Sequence, residues 1–387
     1  VDTISEKTSG SGTTVSNLVN PNQPFRNLVI NGDMHIWQRT IAATAMGNGT
    51  YSTVDRWVMY EGTDGAVTTE QSVLSVADKG TTGCANALLA KCTTADTSIA
   101  AGQYVIIEQR IEAQYLQHLG YGTSSAKSLT VSFWVKAYVA GTYNVALRKQ
   151  DSTTYYISQE YTVNSSNTWE YKTLTFSPTA GSTSLITSAN GVINNDSGEG
   201  IRLDFQLTLG SDFHATTNTW NSSIAGIGSS NQTNFVSSTD NTFYLTGVQL
   251  EVGSTATDFE HLPFDVQLQR CQRYYYVHTS GAESNTSQVG VFSAYSSSNI
   301  QTSVFHPVQM RAAASASFTQ GTNFYNAYGN GAVDAFDGFD LGGEGNKNGS
   351  QLYTSSKNVS VTAAAPYFVR VNGATGATGV VAFSAEL

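Results

Sequence analysis

Residues 128–139, SLTVSFWVKAYV, place Phe133 and Val135 on one parity and Trp134 and Lys136 on the other. Successive side chains of a strand point to opposite faces, so this stretch reads as a strand with one face in a core and the other toward a second surface or solvent. Working outward, the same short period-two segments recur as VDRWVMYEG, ALLAKCTT, YVIIEQRI, YNVALRKQ, YYISQEYTV, WEYKTLTFS, IRLDFQLTLG and FYLTGVQLEV, with NLVINGDMHIWQR opening the series. Turn-forming Gly, Ser and Asn separate them. About ten such strands with no sustained 3.6-residue period imply an antiparallel sandwich or jelly roll, not alternating βαβ units. Only Glu112–Leu119 reads as helical, a short turn over one end.

Composition agrees with this class. Charged residues are 12% of the 387, about half the usual share of roughly 25%, so solubility rests on neutral polar groups. A net charge of −10, with nineteen scattered Lys and Arg, argues against nucleic acid, which needs a basic footprint. No apolar run reaches the ~20 residues of a membrane span, and the first residues do not read as a secretion signal. Cys84, Cys92 and Cys271 are too few and too irregularly spaced for a disulfide framework or zinc site, and read as reduced packing residues suited to assembly in a cytoplasm.

At this length more than one core is expected. Residues 1–24 are poor in aromatics and end among prolines, an arm with Ile4, Val15, Leu18 and Val19 as spaced anchors. Residues 25–262 form the expected jelly roll and 263–387 a second, smaller β-sandwich. The latter opens with PFDVQLQRCQRYYYV, a helical turn into a strand, and continues through VGVFSAY, TSVFHPVQMR, SASFTQ, NVSVTA, YFVRVNG and TGVVAFSAEL. Asn326–Asn358, rich in Gly and Asp, reads as a long inserted loop.

The segments NLVINGDMHIWQRT (27–40), YSTVDRW (51–57), EQRIEA (108–113), SLTVSFWVKA (128–137) and FYLTGVQLEVGSTATDFEHLPFDVQLQRCQRYYY (243–276) stand in an order that resembles bacteriophage tail and fibre proteins. The C-terminal FHPVQMRAA and FSAEL are similar to the domain that follows there. The resemblance implies a carbohydrate-binding-module-like, galactose-binding-like jelly roll in a virion structural protein of the tail, fibre or appendage, acting in host attachment through surface glycan. Capsid decoration or head-fibre protein and polysaccharide depolymerase are the alternatives. It also implies a homo-oligomer, a trimer above all, with residues 1–24 contacting other virion proteins. Tyr274–Tyr276 and Val289–Phe292 are then candidates for either the trimer interface or the second domain's own core.

In such modules aromatic faces stack on sugar rings. Trp37, Trp57 and Trp134 read as core residues, whereas Trp169 and Trp220, in the polar settings NSSNTWEYK and HATTNTWNSS, are the ligand candidates, joined by Tyr155 and Tyr156. The structural calcium of many such modules is not carried over: His35 and Thr246-Gly247 stand where its carboxylates are expected, and a hard cation prefers several oxygens. Asp33 and Asp55 are assigned to Arg39 or Arg56. No hydrolase signature is present. Glu108 and Glu112 flank Arg110, which reads as their ion-pair partner and not as the centre of a glycosidase pair. Asp334, Asp337 and Asp340 are spaced unlike an EF-hand and read as a solvated acidic loop. The expectation is a binding protein with no catalytic residues, metal or cofactor.

Overall fold

A computed structural model describes residues 25–387 apart from 40–43, 52, 283, 285, 344 and 375–378. The expected anchoring arm, 1–24, lies outside the described residues. The first region holds β1 (Thr44–Ala45), β2 (Thr50–Tyr51), β3 (Val58–Glu61), β4 (Ala66–Val73), helix α1 (Val76–Thr82), β5 (Asn86–Thr94) and β6 (Tyr104–Glu112). A 3-10 helix (Ala113–Leu119) follows, then β7 (Leu129–Ala137), β8 (Gly141–Lys149), β9 (Tyr155–Val163), β10 (Glu170–Phe176), β11 (Glu199–Leu209) and β12 (Thr242–Val252).

These strands make two six-stranded antiparallel sheets, ordered β1-β4-β5-β12-β7-β10 (sheet one) and β2-β3-β6-β11-β8-β9 (sheet two). The chain changes sheet at most connections after β5, so neighbours in a sheet are distant in sequence, as in a jelly roll. Phe133 of β7 faces Phe205 of β11 and Tyr161 of β9 edge-on, each at 5.0 Å between ring centroids. Trp57 is fully buried beside them. The opposite parity of β7, Trp134 and Lys136, looks outward, because period two forces it there.

The opening segment 27–38 is not a strand. Asn31 and Met34 have positive φ (both 59°), and the Asn31 side chain donates to the Ile36 and Asp55 carbonyls (2.8 and 3.0 Å) while accepting from the Ile36 amide (2.9 Å). This loop docks on β12: Val248 N–H donates to Gly32 O at 2.9 Å. A Cβ on Gly32 would lie 2.0 Å from the Val248 carbonyl oxygen, so only glycine allows the approach.

The second region comprises α2 (Phe264–Gln272), β13 (Tyr275–Ser280), β14 (Gln288–Ser296), β15 (Asn299–Phe305), β16 (Ser315–Phe318), β17 (Tyr325–Gly329), β18 (Ala332–Phe336), β19 (Asp340–Leu341), β20 (Gly349–Tyr353), β21 (Pro366–Val371) and β22 (Val380–Ser384). A three-stranded sheet, β13-β22-β16, and a seven-stranded sheet, β18-β17-β21-β14-β15-β20-β19, enclose a core of their own with Phe292, Tyr325, Phe336 and Phe339. Residues 326–358 are therefore not a long loop: they carry most of β17 and all of β18, β19 and β20. The hairpin turn Asn330-Gly331, with φ of 50° and 74°, is the two-residue type that matches strand twist. Conversely, NVSVTA forms no strand. Tyr274, Tyr276, Val289 and Phe292 are interior, and Val291 alone of Val289–Phe292 stands widely open.

The two regions are joined by charge pairs. Glu386 meets Arg39 (3.0 Å) and Arg56. Arg273 grips the buried Glu112 with both arms of its guanidinium, at 2.8 and 2.9 Å. Arg110 pairs with Glu108 at 2.8 Å, so it is not the partner of Glu112. Asp55 pairs with Arg39 at 3.5 Å, whereas Asp33 accepts from Gln267 at 3.0 Å. The three cysteines are free and buried.

Candidate functional site

The four candidates from sequence do not form one site. Trp220, 2% exposed, lies in the first core with its indole N–H donating to the Ser177 carbonyl at 2.8 Å. Tyr155 also points inward. Neither ring offers a face to a sugar, which corrects the reading of NTWNSS as an exposed setting: a polar sequence context does not prevent burial when the indole has a partner. Tyr156, on the opposite parity of β9, is half-buried on the outer face of sheet two, packed with Ile227 and Leu209.

Trp169 belongs to a different assembly, the outer face of sheet one. It is 9% exposed and so is not the open platform expected, but three other aromatics stand around it. Register brings Tyr171 of β10 opposite Trp134 of β7, with ring centroids 5.3 Å apart. Lys136 of β7 stands opposite Tyr244 of β12, and Tyr244 opposite Leu89 of β5, which in turn faces Glu70 of β4. The Lys136 ammonium sits 4.6 Å from the centre of the Tyr244 ring and 4.9 Å from that of Trp169, a cation–π arrangement.

Helix α1 fixes the edge of this surface. Its N-cap Ser75 accepts from the Asp78 amide at 3.1 Å and donates its hydroxyl to the Asp78 carboxylate at 2.9 Å, so the cap also fixes the Asp78 side chain. Gly83, at φ 72°, closes the helix. Asp78 then accepts from the Trp169 indole N–H at 2.8 Å and lies 3.6 Å from Lys136. Partial burial pulls the Asp78 carboxyl up, but Ser75, Lys136 and Trp169 outweigh it and hold the group below the usual carboxylate range. Trp169 is thus a locked backstop. Tyr171, 46% exposed, supplies the open ring and the half-buried Trp134 the edge beside it, with Lys136, Asp78 and Glu70 as polar groups alongside.

This arrangement suits a neutral polyol with an apolar face. An aromatic ring carries a negative face that attracts polarised C–H groups, and the ammonium and carboxylates can exchange hydrogen bonds with hydroxyls. Trp134 and Tyr244 escaped the sequence reading because half-buried outward residues look like core by composition. The capping signal S-V-A-D followed by Gly83 was available to locate α1.

The carboxylates considered for catalysis are closed off. Glu108 is fully buried on the outer face of sheet two, paired with Arg110 and, at 3.3 Å, with Arg202. Asp204 stands opposite it in register and pairs with Arg148. Burial, opposed by Arg148 and reinforced by Glu108, pushes the Asp204 carboxyl up. At the place discussed for calcium, His35 packs edge-on against Phe264 at 5.1 Å and Thr246 donates to the Asn86 carbonyl at 2.6 Å.

Neither a protein-family model nor a curated protein matches this chain. Solved structures do. A putative sugar binding protein from Bacteroides thetaiotaomicron aligns over 58% of this chain and 99% of its own, at 11% identity and a TM-score of 0.33. The family 11 carbohydrate-binding module of a Clostridium thermocellum cellulosomal cellulase aligns over 58% and 100%, at 13% identity and 0.27. The enzymatically active domain of tailspike protein 4 of bacteriophage CBA120 aligns over 59% and 22%, at 12% identity and 0.29. Alignments this loose leave function to the residues themselves.

Proposed function

We propose that this chain is a bacteriophage virion structural protein of the tail, fibre or appendage that contributes to host attachment by binding surface glycan without chemistry on the sugar. The observation that carries the binding reading is the outer face of sheet one, where Tyr171 is open beside the half-buried Trp134 and their neighbours are locked by Asp78 and Lys136. The virion assignment is supported by the resemblance of residues 25–276 and 305–313 to phage appendage proteins. The burial and pairing of Glu108, Glu112 and Asp204 favour a binder over a hydrolase. Assembly as a trimer, host cytoplasm as the place of assembly, and anchoring through residues 1–24 belong to the same proposal.

Each ring is expected to contribute about 1 kcal/mol, on the scale of one neutral hydrogen bond, or roughly fivefold in affinity. Attachment then relies on several copies acting together, which raises avidity by roughly 10²–10⁴. The test is retention of the purified chain on host polysaccharide. Trp134→Ala and Tyr171→Ala should each weaken it with the thermal transition preserved; unchanged retention in both would remove the site, and release of oligosaccharide would overturn the non-enzymatic reading. Antibody labelling of intact particles distinguishes tail from capsid.

A further inference from the structure

A cavity of about 450 Å³ lies where the loop leading into the first sandwich, the 3-10 helix Ala113–Leu119 and α2 converge on the second region. Leu28, Ile30, Val266 and Val308 supply apolar wall. Three basic side chains also line it: Arg270, Arg273 and His118.

Their states differ. Arg273 is neutralised by its two-armed contact with Glu112. Partial burial, with Lys127 nearby, lowers the pKa of His118 below the ordinary histidine value and disfavours its charged form. Arg270 donates to the Asn27 carbonyl at 3.3 Å, and among the described residues it has no carboxylate within ion-pair distance. Glu260, whose charge reaches it, is already occupied by the backbone amides of Phe25 and Asn27, at 2.5 and 3.0 Å. A guanidinium cannot discard its proton at neutral pH, and Arg270 is half-buried, so its charge is only partly hydrated. Among the described residues the cavity therefore presents one guanidinium with no carboxylate in direct contact, set beside hydrocarbon and felt by Glu260 only at a distance.

We propose that this cavity binds a monocarboxylate with an apolar body, its carboxylate on Arg270 and its hydrocarbon against Leu28, Ile30, Val266 and Val308. The planar fork of arginine matches a carboxylate with two parallel hydrogen bonds. A dianion such as a phosphate monoester would need a second free cation, and Arg273 and His118 do not provide one. The volume falls within the range of small-molecule pockets, roughly 300–1,000 Å³. The site is separate from the outer face of sheet one and does not depend on it.

Calorimetry on the full chain with 4-phenylbutyrate, 4-phenylbutyramide and 4-phenylbutylamine tests this. The acid should bind at least tenfold more tightly than the amide, and the amine should give no binding heat. Arg270→Gln should reduce the acid to the level of the amide while leaving the amide unchanged, and Val308→Trp should block both by filling the cavity. Equal affinity for acid and amide, acid binding that survives Arg270→Gln, or no binding of any probe at millimolar concentration would overturn the proposal. So would displacement of the acid by equimolar inorganic phosphate. Should Arg270→Gln fail to fold, the acid-to-amide ratio on the wild-type chain together with Val308→Trp decides the matter.

Discussion

Sheet two of the first region and the seven-stranded sheet of the second finish their outer faces in opposite ways. In β6 and β11 of the first sandwich nearly every residue is buried on both parities, because Glu108, Arg110, Arg202, Asp204 and Arg148 form an ion-pair layer over sheet two and the segment containing Ile224–Ile227 lies across β8 and β9. In the second region the seven-stranded sheet leaves its outer face open. A single cross-strand row there runs Val333, Tyr328, Phe368, Val291, and Tyr295 and Phe305 are 76% and 81% exposed. A strand buried on both faces loses the simple alternation that marks a half-buried one. The difference teaches that strand identity and strand environment are separate pieces of information.

The largest effect that would sharpen this contrast is in the first core. Phe133→Ala removes the ring between Phe205 and Tyr161, and a loss of about 3–5 kcal/mol is expected from urea unfolding; a loss under about 1 kcal/mol would mean the two sheets are not packed as described. Next comes the junction. Burial raises the Glu112 pKa, but its bonds to Arg273 and Tyr274 outweigh that and leave it below the ordinary value. A depressed carboxylate contributes stability that is present above its unfolded pKa and is lost as pH falls through the folded one. Unfolding followed separately by probes in each region should coincide at pH 6 and diverge below the ordinary carboxylate range, and Glu112→Gln should make the divergence independent of pH.

A smaller effect is expected at the Asn330-Gly331 hairpin. Gly331→Val places a branched residue at φ 74°, at a cost of about 1–3 kcal/mol read as a shift in the second region's transition alone. Smallest is Phe305→Ser, on the open face, where a change within about 0.5 kcal/mol is expected. A large loss there would show that the face is covered in the isolated chain.

The sequence made the strands β3 and β5–β12 legible, along with the 3-10 helix at 113–119, because each presents at least one clean apolar parity or a strong aromatic and β-branched content. β4 went unread: AVTTEQSV has Ala66 and Val67 at one end, Val73 at the other and polar residues between them, and it is held by pairing to β5. β17–β20 were read as loop because glycine and aspartate dominate their connections, although Phe336, Phe339 and Leu352 were there to anchor a core. The Asn-Gly pair at 330–331 was the turn signal. The binding candidates failed for a different reason. Trp169 and Trp220 have polar neighbours in sequence, but exposure is decided by what arrives from elsewhere in the chain: Asp78 for Trp169, and Ser177 for Trp220.

One feature of the topology bears on how this molecule is made. β12 is the last strand of the first sandwich and lies in the middle of sheet one, between β5 and β7, and β22 is the last strand of the second region and lies between β13 and β16. Until residue 252 has left the ribosome, sheet one is two fragments with unpaired edges facing each other, and until residue 384 has, the three-stranded sheet has no centre. Such edges pair readily with other chains, and contacts spanning this much sequence form slowly. The protein therefore stays vulnerable during synthesis until each final strand is inserted, and a chain released a few residues before the end of β22 loses a central strand, not a frayed end.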